Sequence, residues 1–355
     1  MQSVANLVKE FAGNVQYFII CQDVDLNGAV LDGIKVNEWV DYNDHTKVLY
    51  STPGKISDTI VKQVEKLKPD IIYMVGLFSW HFNIVPMLFC KGPRKILSTR
   101  GMLHPGALSQ KRLKKKVYLQ LFKLLEYHYK VHFHATDEEE RDFILSYFGE
   151  VAQVSVAGNF PNKTGVLTVA RKQPGSLRLV SIGLVGPMKN ILLAIQALMK
   201  CSGTIQYSIY GPVKDEEYWD QCKEAIRLLP ENITVTYHKE IAPFQVKDAL
   251  QEGHVFILPS KSENFGHAIF EALSAGRPVI TSQNTPWKEL REEGAGINVD
   301  IADEEALVKA IGLFVDMDEM ELRKWSQAAY LYSERMVDVE KVRREYEEMF
   351  QLIDN

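Results

Sequence analysis

FILPSKSENFGHAIFEALSAGRPVITS, residues 256–282, reads as strand, loop, helix, turn and strand. The first apolar run ends near Pro259, Ser260–Phe265 forms the loop, and a helix begins near Gly266. Two strands joined by a crossing helix are the repeating unit of a parallel sheet covered by helices. In such a sheet ligands bind outside the carboxyl ends of the strands, which directs attention to the loop. Free amides at the helix start form a positive pocket suited to an anion such as phosphate. Gly266 allows close approach of a ligand to the backbone. Glu263 lies in the loop and Glu271 in the helix, with seven residues between them. One carboxylate could meet a sugar at the loop while the other reaches ribose hydroxyls, since a carboxylate accepts several hydrogen bonds. The interval alone says little. Glu216/Glu224 and Glu340/Glu348 repeat it, and an exposed acidic loop before a packed helix also accounts for it.

Outward from this stretch, the same alternation fills the chain. Strand expectations are VQYFIIC (15–21), KVLYS (47–51), IIYMVG (71–76), KILSTR (95–100), RLVSIG (178–183), IQYSIYG (205–211), ITVTYH (233–238), HVFILPS (254–260) and PVITS (278–282). One doubly wound sheet would need about a dozen strands, which is rare. The expectation is therefore an α/β chain of two Rossmann-like doubly wound domains, each with its own parallel sheet. The stretch 159–176, rich in Pro, Gly, Asn and Thr, marks the boundary. This gives an N-terminal domain over 1–165, a second over 166–325, and a C-terminal helical strap over 326–355 packing back towards the first.

The 355 residues are 46% hydrophobic and carry a net charge of −5. That balance argues against a protein that works by coating nucleic acid. Cys21, Cys90, Cys201 and Cys222 are scattered, so neither a disulfide framework nor a zinc knuckle is expected, and a reducing cytoplasm fits. No secretory h-region or membrane-spanning run is visible.

Taken whole, SENFGHAIFEALSAGRPVITS resembles the donor-binding segment of retaining glycosyltransferases of family 4, which have the GT-B fold. LSTRGMLHPGALSQKR (97–112) and HFHATDEEERDFI (132–144) resemble N-domain segments of bacterial members that build surface polysaccharides. VSIGLVGPMKN (180–190) resembles the opening of the family's nucleotide domain. The resemblance implies a metal-independent, retaining glycosyltransferase of hexosyltransferase type. It would act on a nucleotide diphosphate sugar and a glycan or lipid-linked acceptor, with no cofactor. Glu263 would contact the donor sugar and Glu271 the ribose. Gly183, Asn264, Phe265, Gly266 and His267 would complete the donor site, and Lys189 would grip the diphosphate. Arg100, at a strand end, corresponds to a region that is catalytic in relatives; a structural anchor for its loop is an equal reading. Two departures stand out. Leu184 replaces the family's diphosphate-binding Arg, a loss worth about 2–4 kcal/mol at the transition state. The amphipathic helix over 3–12 already opens the sequence, so the family's first strand and glycine-rich loop are not seen. A non-catalytic nucleotide-sugar-binding module, or an epimerase or hydrolase on the same fold, therefore stays open.

Other signals stay local. DVD (23–25) and DMD (316–318) resemble Asp-x-Asp metal sites only superficially, and no metal is expected. Thr136 with Glu139 suggests a capping box, and His104 a structural histidine. NKT (162–164) and NIT (232–234) match glycosylation acceptors that a cytoplasmic chain would not present for modification. KRLKKKVYLQLFKLLEYHYK (111–130) has two readings. A core-packing helix with a solvated basic end is one; peripheral contact with anionic inner-membrane lipid is the other.

Overall fold

Most of these apolar runs become strands, though they do not all pair as expected. A computed structural model describes residues 2–11, 15–25, 28–109, 112–163 and 171–351. The chain divides into one unit of Met1–Phe160 with Val339–Asn355, and a second of Pro161–Asp338. The linker expected near 165–166 and Lys111 lie outside the described residues.

The first unit holds β1 (Tyr17–Gln22), β2 (Trp39–Asn43), β3 (Thr46–Ser51), β4 (Ile71–Val75), β5 (Arg94–Ser98), β6 (His132–Ala135) and β7 (Val154–Val156). Instead of one sheet they form two, ordered β1-β3-β2 and β4-β5-β6-β7. β2 runs antiparallel to β3, a correction to the all-parallel expectation. Only two residues, Asp44 and His45, join them, whereas a parallel pair needs a crossover of a dozen residues. Side chains of β1 and β4 share an apolar cluster through Tyr17, Ile71 and Tyr73.

The C-terminal segment is not an outer strap. Helix Glu319–Met336 belongs to the second unit, and only helix Val339–Phe350 belongs to the first. Val342, Tyr346, Met349 and Phe350 recur at helical spacing and pack with Leu7, Phe11 and Phe160 as core. Helix Arg112–Leu124 packs on the core through one face. Its buried side chains are Leu119 and Phe122, while Val117, Leu121, Leu124 and Leu125 face outward.

The second unit contains β8 (Ser176–Ile182), β9 (Thr204–Tyr210), β10 (Ile233–Tyr237), β11 (Val255–Leu258), β12 (Val279–Ser282) and β13 (Gly296–Val299). They form one parallel sheet ordered β10-β9-β8-β11-β12-β13. Alternate residues feed opposite faces. Leu177, Leu179, Val255 and Ile257 join one apolar cluster with helices Ile191–Leu198, Glu216–Arg227 and Glu304–Asp316. Val180, Phe256, Leu258 and Val279 join another with helices Val246–Glu252, His267–Ser274 and Glu319–Met336. Burial on both faces explains why these strands are apolar throughout. Strand order reverses between β8 and β11, the switch point at which such sheets bind ligands.

His254, just before β11, is 1% exposed. Its Nδ1 accepts from the Arg178 amide at 3.0 Å and its Nε2 donates to the Arg171 carbonyl at 2.8 Å. Burial, then the nearby Arg178 charge, hold its pKa down to about 4. A proton on Nδ1 would face another donor. The unfolded chain takes up that proton near pH 6.5 and the folded chain does not, so stability declines as pH falls from 6.5 towards 4. The expected loss is about 3 kcal/mol. Urea unfolding across that range should show it for the native chain, with a flatter profile for His254→Gln.

Candidate functional site

The switch point is built by two loops. Gly183 follows β8, and Gly183–Lys189 leads to Asn190, whose left-handed backbone (φ 56°) opens helix Ile191–Leu198. The Gly183 amide donates to Tyr210 O at 2.9 Å and the Val185 amide to Pro212 O at 2.9 Å. Beyond β11, the Lys261 amide donates to Met188 O at 2.8 Å, tying the second loop to the first. The stem of Lys189 lies against Gly183, with Cε 3.8 Å from where a Cβ would stand.

These restraints bring Lys189 and Glu263 together across 74 residues. Lys189 Nζ donates to both carboxylate oxygens of Glu263, at 2.6 and 2.9 Å. Ser260 Oγ donates to Glu263 Oε1 at 2.6 Å, and Ser282 Oγ donates to Ser260 O at 2.5 Å. Glu263 is 8% exposed and Lys189 24%, so solvent screens the pair only partly. An anion arriving here meets a cation held in place by a carboxylate that is itself bonded to a serine.

Gly266 caps helix His267–Ser274 with φ +76°. A Cβ there would crowd Trp287 Nε1 at 3.1 Å and Ile269 Cδ1 at 3.2 Å, so both conformation and space call for glycine. Trp287 Nε1 donates to Phe265 O at 2.6 Å. The Phe265 ring packs on His267 and edge-on to Trp287, with centroids 4.8 and 5.4 Å apart. Tyr332 Oη donates to Lys288 O at 2.8 Å and steadies the Trp287 loop. Asn264 lies partly buried in the same turn.

Glu271 is buried one turn along the helix and receives Asn162 Nδ2 on Oε1 at 3.0 Å. Burial raises its pKa, and the Asn162 hydrogen bond offsets part of the rise. The structure thus gives Asn162, read from sequence only as a glycosylation match, a place beside Glu271. Trp287 and Ser260 were also missed. The tryptophan in NTPW (284–287) was the available signal, because a lone Trp in a polar turn needs a partner for its N–H.

Arg100 lies in the first unit. It follows β5 with φ 51°. Its guanidinium donates to Asn159 Oδ1 at 2.5 Å and to Tyr73 Oη at 2.8 Å. Tyr73 in turn meets His134 Nδ1 at 2.6 Å, and His134 Nε2 donates to Ala157 O at 2.8 Å. Burial opposes the charge on Arg100, but Tyr73 and Tyr346 outweigh it and the group stays a cation. Burial, then Arg100, push the His134 pKa down to about 3, which keeps this ring neutral. The loop itself is clamped by Glu140, which accepts from Thr99 Oγ1 at 2.6 Å and from the Gly101 amide. Glu140 also accepts from the Thr136 amide and hydroxyl, each at 2.8 Å. The capping box expected from Thr136 and Glu139 is therefore corrected. Asp137 caps the helix, and the reaching carboxylate is Glu140, because Glu140 rather than Glu139 turns inward. Arg100→Met should cost about 2–3 kcal/mol by leaving Asn159 Oδ1 without its donor and removing one of the two hydrogen bonds of Tyr73 Oη. Urea denaturation would measure it, with Arg100→Lys recovering only part because it lacks the fork.

His104 Nδ1 accepts from the Gly106 amide at 3.1 Å, a local turn. Asp318 caps helix Glu319–Met336 and Asp23 is buried. Among the described residues no group of three or more His, Cys, Asp or Glu side chains is placed to hold a metal ion. No helix of the described residues is long and apolar enough to cross a membrane.

Comparison with known proteins adds an independent finding. Residues 168–332, within the second unit, match the family model Glycosyl transferases group 1. No curated protein matches the sequence. Among solved structures, Anabaena HepE in complex with UDP and glucose is similar, with 16% identity and a TM-score of 0.66. The match covers 87% of this chain and 86% of that one. The same protein with UDP-glucose matches at 14% identity and TM-score 0.69, covering 96% of this chain and 100% of that one. Sucrose-phosphate synthase from Thermosynechococcus elongatus matches at 15% identity and TM-score 0.73, with 99% and 91% covered. At these identities the likeness is one of fold, that of two Rossmann-like domains.

Proposed function

We propose that the second unit binds a nucleotide diphosphate sugar and that the protein is a retaining glycosyltransferase. It would move the sugar to a glycan or lipid-linked acceptor in bacterial surface-polysaccharide synthesis. The observation that carries this reading is the Lys189–Glu263 pair at the β8/β11 switch point, beside the Gly266 helix start and above Glu271. A diphosphate at Lys189 competes with Glu263 for the ammonium, and the displaced carboxylate is then available to sugar hydroxyls. Glu271, held by Asn162, suits ribose hydroxyls.

In the reaction so written, the bond between the anomeric carbon and the diphosphate oxygen breaks with oxocarbenium character. The acceptor hydroxyl enters on the same face, and its proton passes to the departing diphosphate oxygen. Lys189 and the helix start stabilise the growing negative charge, so the reading invokes no metal and no cofactor. Leu184 leaves Lys189 as the cation of this loop in contact with Glu263, which concentrates the electrostatic burden on one residue.

The test is a thermal-shift screen of UDP, GDP, ADP and TDP sugars, native chain against Glu271→Ala. The uridine compounds come first, because HepE was crystallised with UDP-glucose. A sugar nucleotide at 100 times its dissociation constant adds about 2.7 kcal/mol of apparent stability. A shift with one nucleotide that Glu271→Ala abolishes supports the donor site. No shift with any of them overturns the reading. A shift without sugar transfer to any acceptor would identify a binding module, and turnover without an acceptor an epimerase or hydrolase.

A further inference from the structure

Helix Arg112–Leu124 of the first unit has two apolar faces, and only one is used by the core. Leu119 and Phe122 are buried, with Tyr118 packed beside them. Lys115 turns inward with them, its Nζ donating to Ala107 O at 2.6 Å and lying 5.3 Å over the Phe78 ring. Leu113, Val117, Leu121 and Leu124 form a second stripe, roughly 150° round the helix axis. Leu113 is 75% and Leu124 77% exposed, and Leu125 extends the stripe past the helix end. Isolated exposed leucines are ordinary; a continuous row along one helix is not.

Charge tells what the row fits. The helix holds five basic residues and no acidic one, in a chain whose net charge is −5. Lys114 flanks the apolar stripe on one side, with Arg112, Lys116 and Lys123 on the other, and all four are exposed. No ion pair among the described residues involves any of them. A second copy of the chain would have to desolvate these like charges against an identical face. An anionic bilayer surface instead offers acyl chains to the leucines and headgroup phosphates to the flanking cations.

We infer that this helix face docks the protein on membranes containing anionic lipid, with Leu113, Val117, Leu121 and Leu124 in the interface and Lys114, Lys116 and Lys123 at headgroup level. The rest of the chain, being net acidic, is repelled by such a surface, so the helix also sets the orientation of approach. The inference does not depend on the donor site.

Co-sedimentation of the purified chain with vesicles tests it, using phosphatidylcholine alone or mixed with phosphatidylglycerol. The bound-to-free ratio should be at least about tenfold higher on the mixed vesicles and fall at high salt. Leu113→Ser with Leu124→Ser should lower it about tenfold, as should Lys114→Glu with Lys116→Glu and Lys123→Glu, while circular-dichroism melting stays unchanged. If the serine variant fails to fold, the charge-reversed variant decides. Absence of binding, or binding that survives the charge reversal, overturns the proposal. Self-association by sedimentation velocity that the serine variant abolishes, without vesicle binding, overturns it in favour of a second copy.

Discussion

Replacing Lys189 by Met should lower the rate of sugar transfer by about 100–1,000-fold, equivalent to about 3–4 kcal/mol of transition-state stabilisation. The ammonium already sits within 2.9 Å of both Glu263 oxygens, on a stem braced by Gly183. It therefore loses little conformational freedom when a diphosphate takes the carboxylate's place. Glu263→Gln provides the contrast. It frees Lys189 from its partner, so the nucleoside diphosphate without sugar should bind several-fold more tightly, because breaking the partly buried pair no longer opposes it. Turnover should nevertheless fall, since the group assigned to the sugar is gone. Calorimetry with the nucleoside diphosphate and single-turnover kinetics with the donor separate these effects. Equal turnover in all three proteins would remove the pair from the chemistry.

Gly211→Val should destabilise the second unit by about 4 kcal/mol and lower its melting temperature by about 10 °C. Gly211 follows β9 with φ +134°, and a Cβ there would overlap the carbonyl of Gly183. The clash is between two backbones, so no rotamer change relieves it. The stem of Lys189 packs against Gly183, so the displaced turn should also weaken the donor-induced thermal shift beyond what lost stability explains. Differential scanning calorimetry with and without the donor measures both. A variant as stable as the native chain would show that the β8 and β9 ends can separate freely.

Much of the second unit was legible because local chemistry repeats there. β11 and β12 are apolar on both faces, and Gly266 stands where a loop turns into a helix. The first unit was harder to read. β2 is exposed and pairs through a two-residue turn, while β6 and β7 are short, with two histidines in β6, so neither alternation nor β-branched content announces them. Helical periodicity placed an amphipathic helix over the basic run but could not say which face met the core. Lys115 is drawn inward there by the Ala107 carbonyl and the Phe78 ring, both supplied from outside the helix.

The sequence by itself determined the βαβ character, the two-domain scale and the loop–helix unit 256–282, because each follows from contacts within a few turns of chain. Only the tertiary structure decided that Lys189 meets Glu263, that Asn162 holds Glu271 across 109 residues, and that Arg100 is engaged by Tyr73 and Asn159. It also decided that helix Val339–Phe350 completes the first unit's core. The reason is physical. Which loops converge depends on sheet order, and placing β8 beside β11 is a choice among long-range pairings that periodicity along the chain does not encode.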